Sequence, residues 1–161
     1  MNHEFYLTDA IEVIEEVLSS GGEFRMFPKG TSMLPLLVQG RDSVVLFRRE
    51  NGEIQKHDIA FYRRDNGQFV LHRVMKIESD GTFTMCGDNQ TLLEKEIRQD
   101  QIIGYVCRLY RNEREVRMHN VFYSAYVFFH CLMPLRRLGF FLRRCLSKCK
   151  RIFSRRKAKS T

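Results

Sequence analysis

A series of short apolar segments separated by turn-forming residues constrains the fold of this chain more than any other feature. Asp65-Asn66-Gly67 and Asp80-Gly81 are strong signals for hairpin turns, and each lies between two apolar segments. Alternating strand and helix units would need helical patterns between these segments, and none is present. The sequence therefore predicts a mainly β, small barrel-like domain. Its predicted strands cover residues 23–27, 43–47, 59–62, 68–77, 82–86 and 102–109.

A helical pattern precedes these strands. Thr8 or Asp9 is suited to cap the start of a helix, and the Ser-Ser-Gly-Gly sequence at 19–22 is suited to end it. Glu residues occupy the other side of the predicted helix, so we expect it to be amphipathic and to pack on the β domain. Its apolar stripe consists of Ala10, Ile11, Val13, Ile14, Val17 and Leu18.

Basic residues are concentrated at the end of the chain. Residues 134–161 contain 11 of the 27 Lys and Arg residues and no Asp or Glu. A basic amphipathic helix of this kind is suited to the headgroup region of an anionic membrane, although nucleic acid is an alternative on charge alone. No helix-turn-helix precedes the β domain, so we expect no nucleic-acid partner. Apolar residues recur at helical spacing in this tail: Leu135, Leu138, Leu142, Cys145, Cys149 and Ile152.

The apolar run over residues 121–133 is too short to span a bilayer as one helix. It has two interpretations: a core helix that docks on the β domain, or a segment that enters the membrane. The first twenty residues include five Asp or Glu, which excludes a secretory signal or a membrane span there. We therefore divide the chain into an N-terminal helix (1–22), a β domain (23–118) and a basic helical tail (119–161).

The five cysteines do not indicate a disulfide framework or a zinc site. Their number is odd, and none forms a Cys-x-x-Cys pair. We expect free thiols, no metal and no cofactor. The cysteines are Cys86, Cys107, Cys131, Cys145 and Cys149.

Three separate stretches supply the groups of a nucleophilic site. Ser32 lies between Gly30 and Pro35, in a turn that is suited to present a hydroxyl. Because a hydroxyl is a poor nucleophile alone, it needs a base, which His72 offers, and Asp88 offers a carboxylate to orient that base. Taken singly, each residue has a simpler interpretation as a turn serine, a core histidine or a turn aspartate.

The order of these motifs resembles the type I signal peptidase family. The matching residues are Gly-x-Ser-Met-x-Pro at 30–35, Asp42 at the start of an apolar strand, His-Arg-Val at 72–74 and Gly-Asp-Asn at 87–89. Within the superfamily that this family shares with repressor-type, LexA-like self-cleaving proteases, the chain looks most like the Ser-His branch of archaea and the endoplasmic reticulum. The resemblance covers about residues 23 to 108. The chain departs from the family at the one-residue insertion Arg41 and in lacking a membrane helix before the serine.

This resemblance implies a serine endopeptidase that cleaves a signal or leader peptide after small residues, at a small-x-small site. Ser32 would attack the peptide carbonyl, and His72 would take the proton and return it to the leaving amine. Asp88 would orient His72, and backbone N–H groups around Ser32 would bind the oxyanion. Glu94 falls where this branch carries a second acidic residue, which implies a supporting role. The shallow substrate pockets would be lined by Met33, Leu34, Leu36 and Leu37.

Two alternatives remain. A repressor-type self-cleaving protease usually needs a lysine base and an Ala-Gly or Cys-Gly bond before the serine; here the base position holds His72, and no such pair precedes Ser32. The other alternative is a non-catalytic, membrane-associated binding module in which the motif residues only form turns. For the enzyme we expect attachment to the cell membrane through the basic tail, with the active site facing the cytoplasm because no N-terminal signal is visible.

Overall fold

The computed structural model describes residues 7–48, 54–118 and 120–132, together with Arg136 and Gly139. Within these residues the fold is mainly β, with eight strands in one antiparallel sheet, two α-helices and a short 3-10 turn. The tail helix predicted over 135–152 lies outside the described residues, apart from Arg136 and Gly139. In chain order the elements are α1 Leu7–Ser19, β1 Phe24–Met26, β2 Asp42–Phe47, β3 Ile59–Arg63, β4 Phe69–Ile77, β5 Phe83–Cys86, β6 Glu94–Ile97, the 3-10 turn Gln99–Gln101, β7 Ile102–Arg111, β8 Arg114–Val116 and α2 Val121–Cys131.

The strands follow the order β1-β2-β7-β3-β4-β5-β6 across the sheet, and β8 pairs with β7. Strand β4 therefore lies between β3 and β5. Its residue His72 is the partner of Ala60 in β3, and the next residue, Arg73, is the partner of Cys86 at the end of β5. This register brings the predicted base close to the loop that follows β5.

The sheet has apolar side chains packed on both faces. One cluster joins Ile14 and Leu18 of α1 to Met33 and Leu37 of the Ser32 turn and to Leu71 of β4. The other cluster contains Ala60, Tyr62, Val74, Phe83 and Met85. Because successive side chains of a strand point to opposite faces, His72 lies on the face of Tyr62 and Val74, and Arg73 lies on the opposite face.

Two strands were not predicted from the sequence, and both are edge strands rich in charge. Strand β6 has the sequence Glu-Lys-Glu-Ile, in which Ile97 is buried and Glu96 has a positive φ of 60°. Strand β8 is Arg-Glu-Val and pairs only with β7. Exposed, charged edge strands lack the alternation of apolar and polar residues on which sequence prediction depends.

Helix α2 packs on the sheet with one face only. Asn120 caps the start of α2 by accepting a hydrogen bond from the Tyr123 N–H. Val127, on the face of α2 that packs inward, is buried. Its opposite face is exposed at Phe122, Phe128 and Phe129. No helix in the described part of the chain is long and apolar enough to cross a membrane.

Candidate active site

Ser32 lies in a compact turn whose backbone is held by local hydrogen bonds. Gly30 has a φ of 93°, a left-handed conformation that favours glycine, and its N–H donates to Gln39 Oε1 at 2.8 Å. The Leu34 N–H donates to the Thr31 carbonyl at 3.3 Å, and the Leu34–Pro35 peptide bond is cis. This arrangement agrees with the predicted role of Gly30 and leaves Ser32 half-buried at the surface of the domain.

Asp42 closes the far end of the same turn. Its carboxylate is fully buried, accepts a hydrogen bond from the Val38 N–H at 2.8 Å and pairs with Arg41. Burial alone would raise its pKa, but the bonds from Arg41 and Val38 outweigh burial and lower it. Arg41 therefore neutralises the charge of Asp42, the first residue of β2.

The loop after β5, residues 87–90, holds the Ser32 turn against β4. The Asn89 N–H donates to the Ser32 carbonyl at 2.7 Å, and Asn89 Nδ2 donates to the Thr31 carbonyl at 3.1 Å. A Cβ atom built on Gly87 would lie 2.7 Å from the Ser32 carbonyl oxygen and 3.1 Å from His72 Cδ2. Gly87 therefore lets the serine turn and the histidine ring approach each other closely.

His72 is almost completely buried, with 1% of its surface exposed, and two oxygen atoms lie within hydrogen-bond distance of its Nδ1 atom. Nδ1 lies 3.2 Å from Glu94 Oε1 and 3.2 Å from Tyr62 Oη. Tyr62 donates its own hydroxyl proton to Glu94 Oε2 at 2.8 Å, so its oxygen can only accept from His72. The neutral ring therefore carries its proton on Nδ1, which leaves Nε2 as a proton acceptor.

Glu94 is held ionised by the groups around it. Arg64 donates to it through Nε at 2.8 Å and through a second guanidinium nitrogen, Nη2. Burial acts to raise the pKa of Glu94, but the hydrogen bonds from His72, Arg64 and Tyr62 lower it well below the usual range. Burial and the hydrogen bond to Glu94 raise the pKa of Tyr62, which keeps its hydroxyl protonated.

The predicted contact between Asp88 and His72 is not found, and the structure corrects this part of the expected site. Asp88 is buried and accepts two hydrogen bonds from Arg73, at 2.9 and 2.7 Å, and one from the Tyr126 hydroxyl at 2.9 Å. Burial would raise the pKa of Asp88, but the charge of Arg73 lowers it. The physical reason is that successive side chains of β4 point to opposite faces of the sheet. Asp88 pairs with Arg73 and therefore lies on the face opposite His72.

Ser32 borders two cavities of different character. A cavity of about 360 Å³ brings Ser32 together with His72, Arg64, Asn89 and Gln90. A second cavity of about 310 Å³ has a mainly apolar lining that also includes Ser32. The apolar residues of its lining are Met26, Phe27, Pro28, Met33, Leu37, Phe61, Phe69, Val70 and Leu71.

The predicted pocket residues separate into different environments. Met33 and Leu37 line the apolar cavity beside Ser32. Leu36 is buried in the core with α1, and Leu34 is half-buried. The rest of the apolar wall comes from the end of β1 and the two residues after it, and from β3 and β4, where Phe61 and Phe69 stack on each other. Sequence reasoning missed Phe61 and Phe69 because β3 and β4 are distant in the chain from Ser32.

Two polar groups of Ser32 are without a partner among the described residues. Its N–H donates to no acceptor there, and its Oγ makes no hydrogen bond, including none to His72. A free N–H in this position can donate to the carbonyl oxygen of a substrate. Hydrogen bonds of catalytic groups are often long or absent before substrate binds. The geometry thus provides a cavity that Ser32 and His72 share, with the proton of the neutral His72 ring on Nδ1.

Tyr62 and Arg64 are residues that the sequence analysis did not single out. Both lie in or directly after β3, two positions apart, and both donate to Glu94. The alternating pattern of β3 could have placed them on one face, but nothing in the sequence pairs that face with β6. Within the described residues, no group of three metal-ligating side chains could hold a metal ion.

No protein-family model matches this chain, and no curated protein or solved structure gives a significant match. What the site can do chemically follows from its own contacts.

Proposed function

We propose that this chain is a membrane-associated serine endopeptidase of the signal peptidase type, with Ser32 as the nucleophile and His72 as the general base. The proposal includes a signal-peptidase-like or LexA-like β domain and cleavage of a signal or leader peptide after small residues. Glu94, rather than Asp88, takes the role of the carboxylate that orients His72.

One observation carries the proposal. Ser32 and His72 line one cavity, and the Nδ1 atom of His72 is held by Glu94 and Tyr62, so that Nε2 is free to accept a proton. A buried histidine with a purely structural role has no need of a serine turn packed against its ring. Gly87, where a Cβ would collide with the serine carbonyl, supports the view that this approach is built into the fold.

The chemistry would proceed in two steps. Ser32 Oγ attacks the scissile carbonyl while its proton passes to His72 Nε2, and the resulting imidazolium is stabilised by ionised Glu94. The Ser32 N–H donates to the oxyanion. His72 then protonates the leaving amine, and water, activated by the same ring, hydrolyses the acyl-enzyme. Each proton that His72 accepts is returned, so the site needs no cofactor.

The apolar cavity supports the expected specificity in part. Met33 and Leu37 line it beside Ser32, which suits an apolar substrate side chain. Attachment to an anionic membrane through the basic tail and an active site on the cytoplasmic side belong to the same proposal. They are supported by the charge of residues 134–161, which contain 11 Lys and Arg residues and no Asp or Glu.

Mass-spectrometric profiling of new protein N-termini tests this function. Host cells would express the wild-type chain, Ser32→Ala or the matched control Thr31→Ala, which alters the exposed neighbouring hydroxyl. Each culture is separated into membrane and soluble fractions. We expect new termini after small-x-small sequences in wild type and Thr31→Ala, and their loss in Ser32→Ala. Identical profiles for all three folded and equally expressed proteins would contradict the proposal.

A non-catalytic binding module is the second candidate, because Ser32 Oγ makes no hydrogen bond to His72. In that case the cavity beside Ser32 would bind a peptide without cleaving it. The same profiling separates the two candidates, since a binding module creates no Ser32-dependent termini.

A further inference from the structure

Helix α2 has an apolar outer face that no described residue covers. Phe122 is 86% exposed and Phe128 is 61% exposed, values that are high for aromatic side chains. The apolar members recur at steps of three and four residues, which places them on one side of the helix. The outer face of α2 consists of Val121, Phe122, Ala125, Phe128, Phe129 and Leu132.

The outer face cannot turn inward, because the inner face of α2 is fixed by polar contacts. Tyr126 Oη donates to Asp88 at 2.9 Å, and Tyr123 Oη accepts from Arg73 Nη1 at 3.3 Å. Val127 of α2 is buried as well. Rotation of the helix would break these bonds and leave the buried ion pair of Arg73 and Asp88 partly unsatisfied.

The charge of the chain that follows α2 indicates what the outer face binds. Arg136 is buried and donates to the carbonyls of His130, Gly87 and Gln90. The chain that leaves α2 is therefore held at the loop 87–90. Beyond Arg136, residues 137–161 contain ten further Lys and Arg and no Asp or Glu. An aromatic helix face followed at once by a long cationic segment complements a surface with apolar depth and anionic headgroups.

We propose that the outer face of α2 inserts into the headgroup and acyl boundary of an anionic membrane. The inference rests on the proposed membrane attachment and deepens it, because it adds one face of α2 to the basic tail. Docking through α2 would also hold the loop 87–90, and with it the Ser32 turn, at the membrane, because Tyr126 bonds Asp88 and Arg136 bonds Gly87. Phe side chains in the boundary region add a contribution that salt does not screen, whereas the attraction of the tail is screened.

Because the chain contains no Trp, a single substitution introduces a unique fluorophore. Phe128→Trp places it on the outer face, and Val13→Trp places it at an exposed apolar position of α1 as a matched control. The full chain is mixed with vesicles of phosphatidylcholine and phosphatidylglycerol that carry brominated acyl chains. We expect a blue shift and quenching of the indole fluorescence in the Phe128→Trp variant, and neither effect in Val13→Trp.

Flotation with the same vesicles measures the energetic contribution. We expect Phe122→Ser with Phe129→Ser to lower the membrane partition coefficient about tenfold or more, and to abolish the binding that wild type keeps at high salt. Leu92→Ser, which removes an exposed leucine outside α2, should leave partitioning unchanged. Thermal unfolding of each variant checks that it is folded.

Three outcomes would overturn the inference. Vesicle binding of Phe128→Trp without quenching of its indole would mean that the tail binds alone. Equal partitioning of wild type and the double variant at high salt would remove the contribution of the outer face. A stable dimer in sedimentation that depends on Phe122 would show that a second copy covers this face. No cleavage is measured, so failure of the peptidase proposal would not affect these results.

Discussion

At the residue scale, Glu94 contacts every group that fixes the protonation of His72. It accepts from Tyr62 and Arg64 and lies 3.2 Å from His72 Nδ1. Arg64 and Tyr62 keep Glu94 ionised, and an ionised carboxylate favours the Nδ1–H tautomer and would stabilise the imidazolium of the proposed mechanism. Asp88, by contrast, neutralises the buried Arg73 and orders α2.

Substitution of the two carboxylates should therefore have different effects. Glu94→Gln places an amide where the ionised oxygen was, so we expect kcat to fall by about 10²- to 10⁴-fold with little change in KM. Asp88→Asn does not touch His72, and we expect kcat to change less than about tenfold. Kinetics on a substrate found by N-terminal profiling would measure both. Equal losses in kcat for two folded variants would contradict the assignment of Glu94.

The buried carboxylates also predict how stability depends on pH. The pKa values of Asp88, Glu94 and Asp42 are lowered in the folded protein, so below their ordinary value of about 4 the unfolded chain binds more protons. The contribution of these carboxylates to the free energy of unfolding is complete above about pH 5 and is lost on acidification. The loss is about 1.4 kcal/mol per pH unit for each extra proton that the unfolded chain binds. Urea unfolding between about pH 7 and pH 3 measures this, and Asp88→Asn should reduce the slope. An increase in stability on acidification would contradict it.

At the element scale, the loop 87–90 joins three parts of the molecule. It bonds the Ser32 turn through Asn89, accepts Arg136 at two carbonyls and carries Asp88, which bonds α2. The order of elements in β3, β4 and β5 was predictable, because their apolar segments are separated by Asn-Gly and Asp-Gly turns. Strand β6 was not, since its three charged residues carry no apolar alternation, and Glu94 belongs to that strand.

Gly87→Ala tests the packing of this loop. The added Cβ would lie 2.7 Å from the Ser32 carbonyl oxygen, so the serine turn must shift. We expect stability to fall by about 1–3 kcal/mol and cleavage to fall by about 10²-fold, because a small displacement of a nucleophile is costly. Urea unfolding and kinetics measure the two effects. Thr91→Ala, an exposed change in the same connection, is the control, and equal activity of the two variants would contradict the close approach.

At the scale of the whole molecule, the class of the fold could be predicted from the sequence pattern, whereas Glu94 was implied only by the family resemblance and its contact with His72 was not predicted. Turn residues and apolar segments predicted a mainly β domain and an N-terminal helix, and both are present in the described residues. The contact of His72 with Glu94 depends on β6 lying beside β5, a long-range pairing that the local pattern does not encode. The sequence of α2 does not show which of its faces packs inward, because the long-range bond of Tyr126 to Asp88 fixes this face.

The claim that His72 activates Ser32 is tested most directly by acetylation with an aryl acetate ester. Peptide mapping by mass spectrometry would follow acetyl transfer to Ser32, with the exposed Ser19 and Ser20 as internal references. We predict that Ser32 is acetylated faster than both references and that this excess disappears in folded His72→Gln. Acetylation of Ser32 at the rate of the reference serines, or an excess that survives in His72→Gln, would contradict an activated nucleophile.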